Sequence, residues 1–88
     1  MQNRNFKIIN RLGLHARAAA QLVQTANKFS SEINLIKDDI EVNGKSIMGI
    51  LLLAAPQGTD IAVVVEGDDE QQAMDVIAEL IEAGFGED

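Results

Sequence analysis

Cysteine, tryptophan and tyrosine are absent from these 88 residues, and proline and histidine each occur once. Without cysteine there is neither a disulfide framework nor a thiolate metal site, and a lone histidine gives no basis for a transition-metal centre. Only three aromatics are present, all phenylalanine, so the stacking platforms of single-strand nucleic-acid binders are missing. A net charge of −7 likewise lacks the excess of bases that neutralises phosphate backbones. No apolar run approaches the roughly 20 residues that span a bilayer, which excludes membrane insertion by a helix. The opening MQNRNFKIIN carries no signal-peptide pattern, and the expected setting is the cytoplasm. What remains is 47% apolar and 24% charged, the balance of a globular protein. The length predicts one domain over residues 1–88, with no metal and no cofactor.

Bases are also missing from the second half. All seven (Arg4, Lys7, Arg11, Arg17, Lys28, Lys37 and Lys45) fall in residues 1–45 beside four acids, whereas residues 46–88 hold ten acids and none. The halves carry +3 and −10. A solvated acidic helix near the C-terminus explains most of the negative charge. The basic half leaves room for a local site facing an acidic protein partner.

Phe6 and Ile8 alternate with Lys7, predicting a half-buried strand around residues 4–9. The period then changes, since Ala19, Leu22, Val23 and Ala26 share one face of a helix over 16–28. Ile33 and Leu35 alternate again, as do Ile40 and Val42, with Asp38-Asp39 suited to the hairpin turn between them. Ser46 stands at the head of the apolar run Ile47–Ala55 as the N-cap of a short helix. Its inner face is predicted at Ile47, Ile50 and Ala54. Ile61, Val63 and Val65 mark a strand over 60–66. A final helix is capped by Asp68 or Asp69, carries an apolar stripe of Ala73, Val76, Ile77, Leu80 and Ile81, and ends at Gly84. The order βαββαβα, with one wet and one covered sheet face, predicts an α+β fold: four antiparallel strands with three helices on one face.

Most catalytic constellations are lacking, including a second histidine, a GxSxG elbow and a P-loop glycine pattern. His15 stands out, in Gly13-Leu14-His15-Ala16-Arg17-Ala18 at the predicted start of the first helix. The opening amides of a helix lack intrahelical partners and carry partial positive charge. That charge favours a neutral imidazole with one nucleophilic nitrogen, and an anion attached there would meet the free amides. Arg17 adds a forked set of donors suited to phosphate oxygens. The combination suits reversible phosphoryl capture, although a capping histidine near a surface arginine would give the same local pattern.

The segments GLHARAAAQLVQTA and NGKSIMGI resemble the HPr family, the histidine-containing phosphocarriers of the bacterial phosphoenolpyruvate-dependent phosphotransferase system. The resemblance covers essentially the whole chain and implies an open-faced β-sandwich. It implies a monomeric carrier rather than a turnover enzyme. Its His15 would take phosphate on Nδ1 from enzyme I and pass it to a IIA protein or domain, with Arg17 stabilising the phosphate. It further implies regulatory phosphorylation of Ser46 by an HPr kinase/phosphorylase, and partner docking through Ile47, Met48 and Leu51. Ala18 replaces the family's usual proline, which predicts a slightly less rigid helix start. Leu51–Ala55 and the ending AGFGED look more like the nitrogen-related paralogue NPr, whereas Ser46-Ile47-Met48-Gly49 looks like HPr regulated at serine. The alternative function is a regulatory binding protein controlled at Ser46, as in Crh-like members. Those lack the active histidine, so His15 with Arg17 favours the carrier.

Overall fold

The computed structural model describes residues 1–87. Strand β1 (Gln2–Lys7) leads through a loop to helix α1 (Ala16–Ala26), followed by β2 (Glu32–Lys37), β3 (Ile40–Asn43), α2 (Ile47–Leu53), β4 (Asp60–Glu66) and α3 (Glu70–Glu82). The sheet order is β1-β4-β2-β3, antiparallel throughout, so the last strand to form in sequence lies at the centre. Val63 on β4 faces Arg4 on one side and Leu35 on the other. Ile33, Leu35, Ile61, Val63 and Val65 bury one face of the sheet, while Asn34, Ile36, Ala62 and Val64 stay partly open on the other. All three helices cover the buried face, as the alternation of the strands predicts.

Leu22, Ile50, Leu53, Met74, Ile77 and Ile81 descend from the helices into this core and are fully buried. Each aliphatic side chain of this size contributes about 1.5–3 kcal/mol by leaving water. Asp38 takes the left-handed conformation at the β2–β3 hairpin (φ 54°), as expected for a short polar turn residue.

Several element limits differ from the sequence expectation. Strand β1 is shifted toward the N-terminus, because Ile8 no longer pairs within the ladder but exchanges hydrogen bonds with the turn at Gly58 and Thr59. Helix α1 stops at Ala26, two residues early, and Asn27 caps it through the Val23 carbonyl. In α2 the inward residues are Ile50 and Leu53, whereas Ile47 is exposed and Ala54 leaves the helix in a left-handed conformation. At α3 the N-cap is Asp69, but its carboxylate does not cap the helix. It accepts instead from the Ser30 and Ser31 amides (2.9 and 3.0 Å) and from the Ser31 hydroxyl, tying α3 to the α1–β2 loop. Met74 and Ala78 join the buried stripe of α3, and Val76 turns outward. Gly84 follows the Ala83 cap with φ 63°, the predicted helix stop.

Candidate functional site

Residues 8–15 form the loop that presents His15. Gly13 is left-handed (φ 68°), and a Cβ there would approach the Ala55 carbonyl oxygen to 2.4 Å, so only glycine fits. The Leu14 amide then bonds that same carbonyl at 2.9 Å, clamping the loop to the segment after α2. Held this way, His15 becomes the N-cap of α1. Its carbonyl accepts the first helical bond, from Ala19 (2.8 Å), and its Nδ1 accepts from the Arg17 amide at 3.3 Å. The amides of Ala16, Arg17 and Ala18 all precede that first helical bond, so the positive end of the helix opens beside Nδ1.

The other ring nitrogen has a different neighbour. His15 Nε2 contacts the Glu87 carboxylate, whose second oxygen accepts from Asn10 Nδ2 at 2.8 Å. Asn10 is buried and also donates to the Gly13 carbonyl (2.7 Å), so it links the loop to the C-terminal segment. The Asn10 amide, the His15 ring and the nearby Arg17 charge together hold the Glu87 carboxyl below its ordinary range. The His15 side chain remains 27% exposed.

Arg17 is exposed and, among the described residues, forms no ion pair. With Arg11, Leu12, Gly86 and Glu87 it lines a polar hollow of about 310 Å³. A second, shallower hollow is lined by Leu12, Leu14, His15, Ala54, Ala55 and Pro56. Toward this second hollow runs the outer face of α2, where Ile47, Met48, Leu51 and Leu52 are all exposed. Ser46 caps α2, its Oγ accepting from the Gly49 amide at 3.0 Å. It stands at the end of the helix away from the hollow, about 10 Å off along a seven-residue helix. Lys45, just before this cap, donates to the Phe29 carbonyl (2.7 Å).

His15 and Arg17 are therefore brought together, with the α2 face leading to them and Ser46 one helix length away. Asn10, Arg11, Leu12 and Glu87 are the additions that sequence reasoning missed. Arg11 and Leu12 lie within four residues of His15 and had that proximity as a signal. Glu87, 72 residues away, had none.

The family model described as the PTS HPr component phosphorylation site matches residues 2–83. The chain belongs to the HPr family. It is 52% identical to phosphocarrier protein HPr of Xylella fastidiosa (strain Temecula1) over 88 residues, covering 100% of this chain and 99% of that one. The crystal structure of HPr-C-His from Thermoanaerobacter tengcongensis superposes with a TM-score of 0.97 at 50% identity, covering 100% and 99% of the two chains. HPr-like protein Crh of Halalkalibacterium halodurans is 45% identical over 82 residues, covering 93% of this chain and 98% of that protein. The HPr fold is thus shared along the full described chain, including the loop that carries His15. Among the described residues no group of three metal-ligating side chains converges, and no helix is long and apolar enough to cross a membrane.

Proposed function

We propose that this chain is a phosphoryl carrier of the phosphotransferase system, loading phosphate on His15 Nδ1 from enzyme I and unloading it to a IIA protein or domain. The observation that carries the reading is the division of labour on the imidazole. Nδ1 sits at the opening amides of α1, accepting from that of Arg17, and Nε2 faces a carboxylate. A phosphoryl group on Nδ1 would meet those amides and the partial charge of the helix end, with Arg17 two residues on to pair its oxygens.

Among the described residues the site supplies a phosphoryl acceptor and an anion cradle. That suits a carrier, with transfer assisted by partner groups, rather than a turnover enzyme. The exposed α2 face of Ile47, Met48 and Leu51, extended by Leu52, is an apolar docking surface next to the acceptor. The carrier acts in the cytoplasm as a monomer.

Phosphoenolpyruvate with enzyme I should label the protein on His15 alone. The label should be acid-labile and base-stable, as phosphoramidates are, and His15→Ala should abolish it with the far-UV circular dichroism unchanged. An acid-stable label, or one that survives His15→Ala, contradicts the carrier reading.

The Crh relative favours a second function, regulation through phosphorylation of Ser46 by an HPr kinase/phosphorylase. At about 10 Å, each added charge facing a partner carboxylate costs about 0.4 kcal/mol in water. A phosphoserine facing several acids would then weaken partner binding about tenfold, and less at high salt.

A further inference from the structure

The C-terminal segment reaches His15 by an unusual backbone path. Gly84, Phe85 and Gly86 are left-handed in succession (φ 63°, 57° and 74°). Phenylalanine rarely adopts that conformation, and here its buried ring anchors the turn. The turn delivers Glu87 to the imidazole, where its side chain is only 15% exposed.

The hydrogen-bond inventory of this cluster has one consistent assignment. A carboxylate only accepts, so the hydrogen between Glu87 and Nε2 belongs to the ring. The Arg17 amide only donates, so Nδ1 must be the unprotonated nitrogen. Asn10 spends both amide hydrogens, on the Gly13 carbonyl and on Glu87, while its Oδ1 is buried without a partner. An unpaired buried acceptor is costly. The opposite amide orientation would be worse, setting Oδ1 against a carbonyl and a carboxylate.

We propose that Asn10 and Glu87 are positioning residues for phosphoryl transfer. Asn10 orients the Glu87 carboxylate, Glu87 holds His15 in the Nε2–H tautomer with Nδ1 unprotonated, and the same carboxylate balances the ring charge after loading. This rests on the reading of His15 as the phosphoryl acceptor. In the loading step the Nδ1 lone pair forms the new P–N bond as the P–N bond of a phosphohistidine donor breaks. The electron pair of that bond stays on the donor nitrogen. Nε2 keeps its hydrogen, so no proton moves, and the accepting ring passes from neutral to cationic opposite Glu87. Unloading reverses each change.

Glu87→Gln separates this role from simple contact. Its carbonyl oxygen must face the Asn10 amide hydrogens, so its NH₂ faces Nε2 and demands an acceptor there. That selects the wrong tautomer, protonated on Nδ1. Glu87→Ala removes the carboxylate's share of the selection and leaves only that of the Arg17 amide. Long-range ¹H–¹⁵N NMR of the unphosphorylated protein at about pH 8, above the ordinary imidazole range, reads the tautomer directly. Predominantly Nε2–H is expected in the parent protein, with a raised Nδ1–H fraction in Glu87→Ala and a larger rise in Glu87→Gln, each opposed by the Arg17 amide that remains. Rapid-quench transfer from phospho-enzyme I should then be slowed about tenfold or more in Glu87→Gln at saturating donor, with donor affinity changed less than about twofold. An unchanged tautomer ratio in both variants overturns the proposal and leaves the carrier reading standing. A parent protein that takes no phosphoryl on His15 overturns the carrier reading, and with it the charge-balancing role, whatever the tautomers show.

Discussion

Arg17 occupies the second position of α1 with its guanidinium exposed and, among the described residues, unpaired. An incoming phosphoryl group therefore meets a charge that no internal carboxylate has already claimed. A charge-assisted hydrogen bond to such an anion is worth about 1.5–3 kcal/mol. If it forms chiefly in the transition state, Arg17→Ala slows transfer about ten- to hundredfold. Folding should change by no more than about 0.5 kcal/mol, because the side chain is exposed. Arg17→Lys should recover only part of the rate, since a point charge does not reproduce the fork. Stopped-flow transfer from phospho-enzyme I, paired with urea titration, measures both, and an unchanged transfer rate in Arg17→Ala would refute the assignment. The placement of His15 and Arg17 at the start of α1 was legible in the sequence because it is local, set by two residues of spacing. Asn10 was not. Its significance lies in a bond to Glu87 across 77 residues, and hydrophobic periodicity carries no information about such a contact.

Helix α2 separates an exposed apolar face from a buried one within seven residues. Met48 is 69% exposed while Ile50 is fully buried. Met48→Asp should weaken enzyme I binding about tenfold with the thermal midpoint nearly unchanged, by isothermal titration and circular dichroism respectively. Ile50→Asp puts a charge into the core and should cost several kcal/mol, about half or more of the stability of an ordinary domain. A loss of stability in Met48→Asp comparable to that of Ile50→Asp would show that the patch is core and no docking surface. The existence, order and type of the four strands and three α-helices were readable from the change between period 2 and period 3.6, whereas the 3-10 turn at Gly84–Gly86 was not. The rotational phase of α2 was not, because a nearly unbroken apolar run from Ile47 to Ala55 offers no polar face as a reference. Gly49 was the unused clue. A Cβ there would crowd Val42 on β3 at 3.3 Å, so Gly49 faces the sheet, and Ile50 and Leu53 follow it inward. Likewise the Asp69 side chain was readable as a helix-end residue but not as a tether to Ser30 and Ser31, which come from a different part of the chain.

At the scale of the whole molecule, long-range carboxylate contacts fasten the N-terminus, the α1–β2 loop and the C-terminal segment to the rest of the fold. Asp69 is held below its ordinary range first by the Ser31 hydroxyl and then by the Ser30 amide. Glu70 is held down by the N-terminal ammonium, and Glu87 by Asn10. Each folded carboxylate binds its proton more weakly than its unfolded counterpart. Their contribution is thus fully present above the unfolded values and is lost as pH falls through the folded ones, from about pH 5 downward. Urea midpoints measured from pH 7 to pH 2 should therefore fall more steeply for the parent protein than for Asp69→Asn, which lacks one of these groups. Parallel curves would refute the role of Asp69. The same assembly brings three distant segments to one imidazole: the loop carrying Asn10 and Gly13, the turn after α2 at Ala55, and the C-terminal Glu87. The central claim is that this convergence reserves one ring nitrogen for phosphate. Its most direct test is NMR of the ¹⁵N-histidine-labelled protein after loading by enzyme I and phosphoenolpyruvate. A ³¹P–¹⁵N coupling to Nδ1 of His15, with the hydrogen retained on Nε2, is the predicted result. Phosphorus coupled to Nε2, or no coupling to either nitrogen of His15 in the loaded protein, would contradict the account.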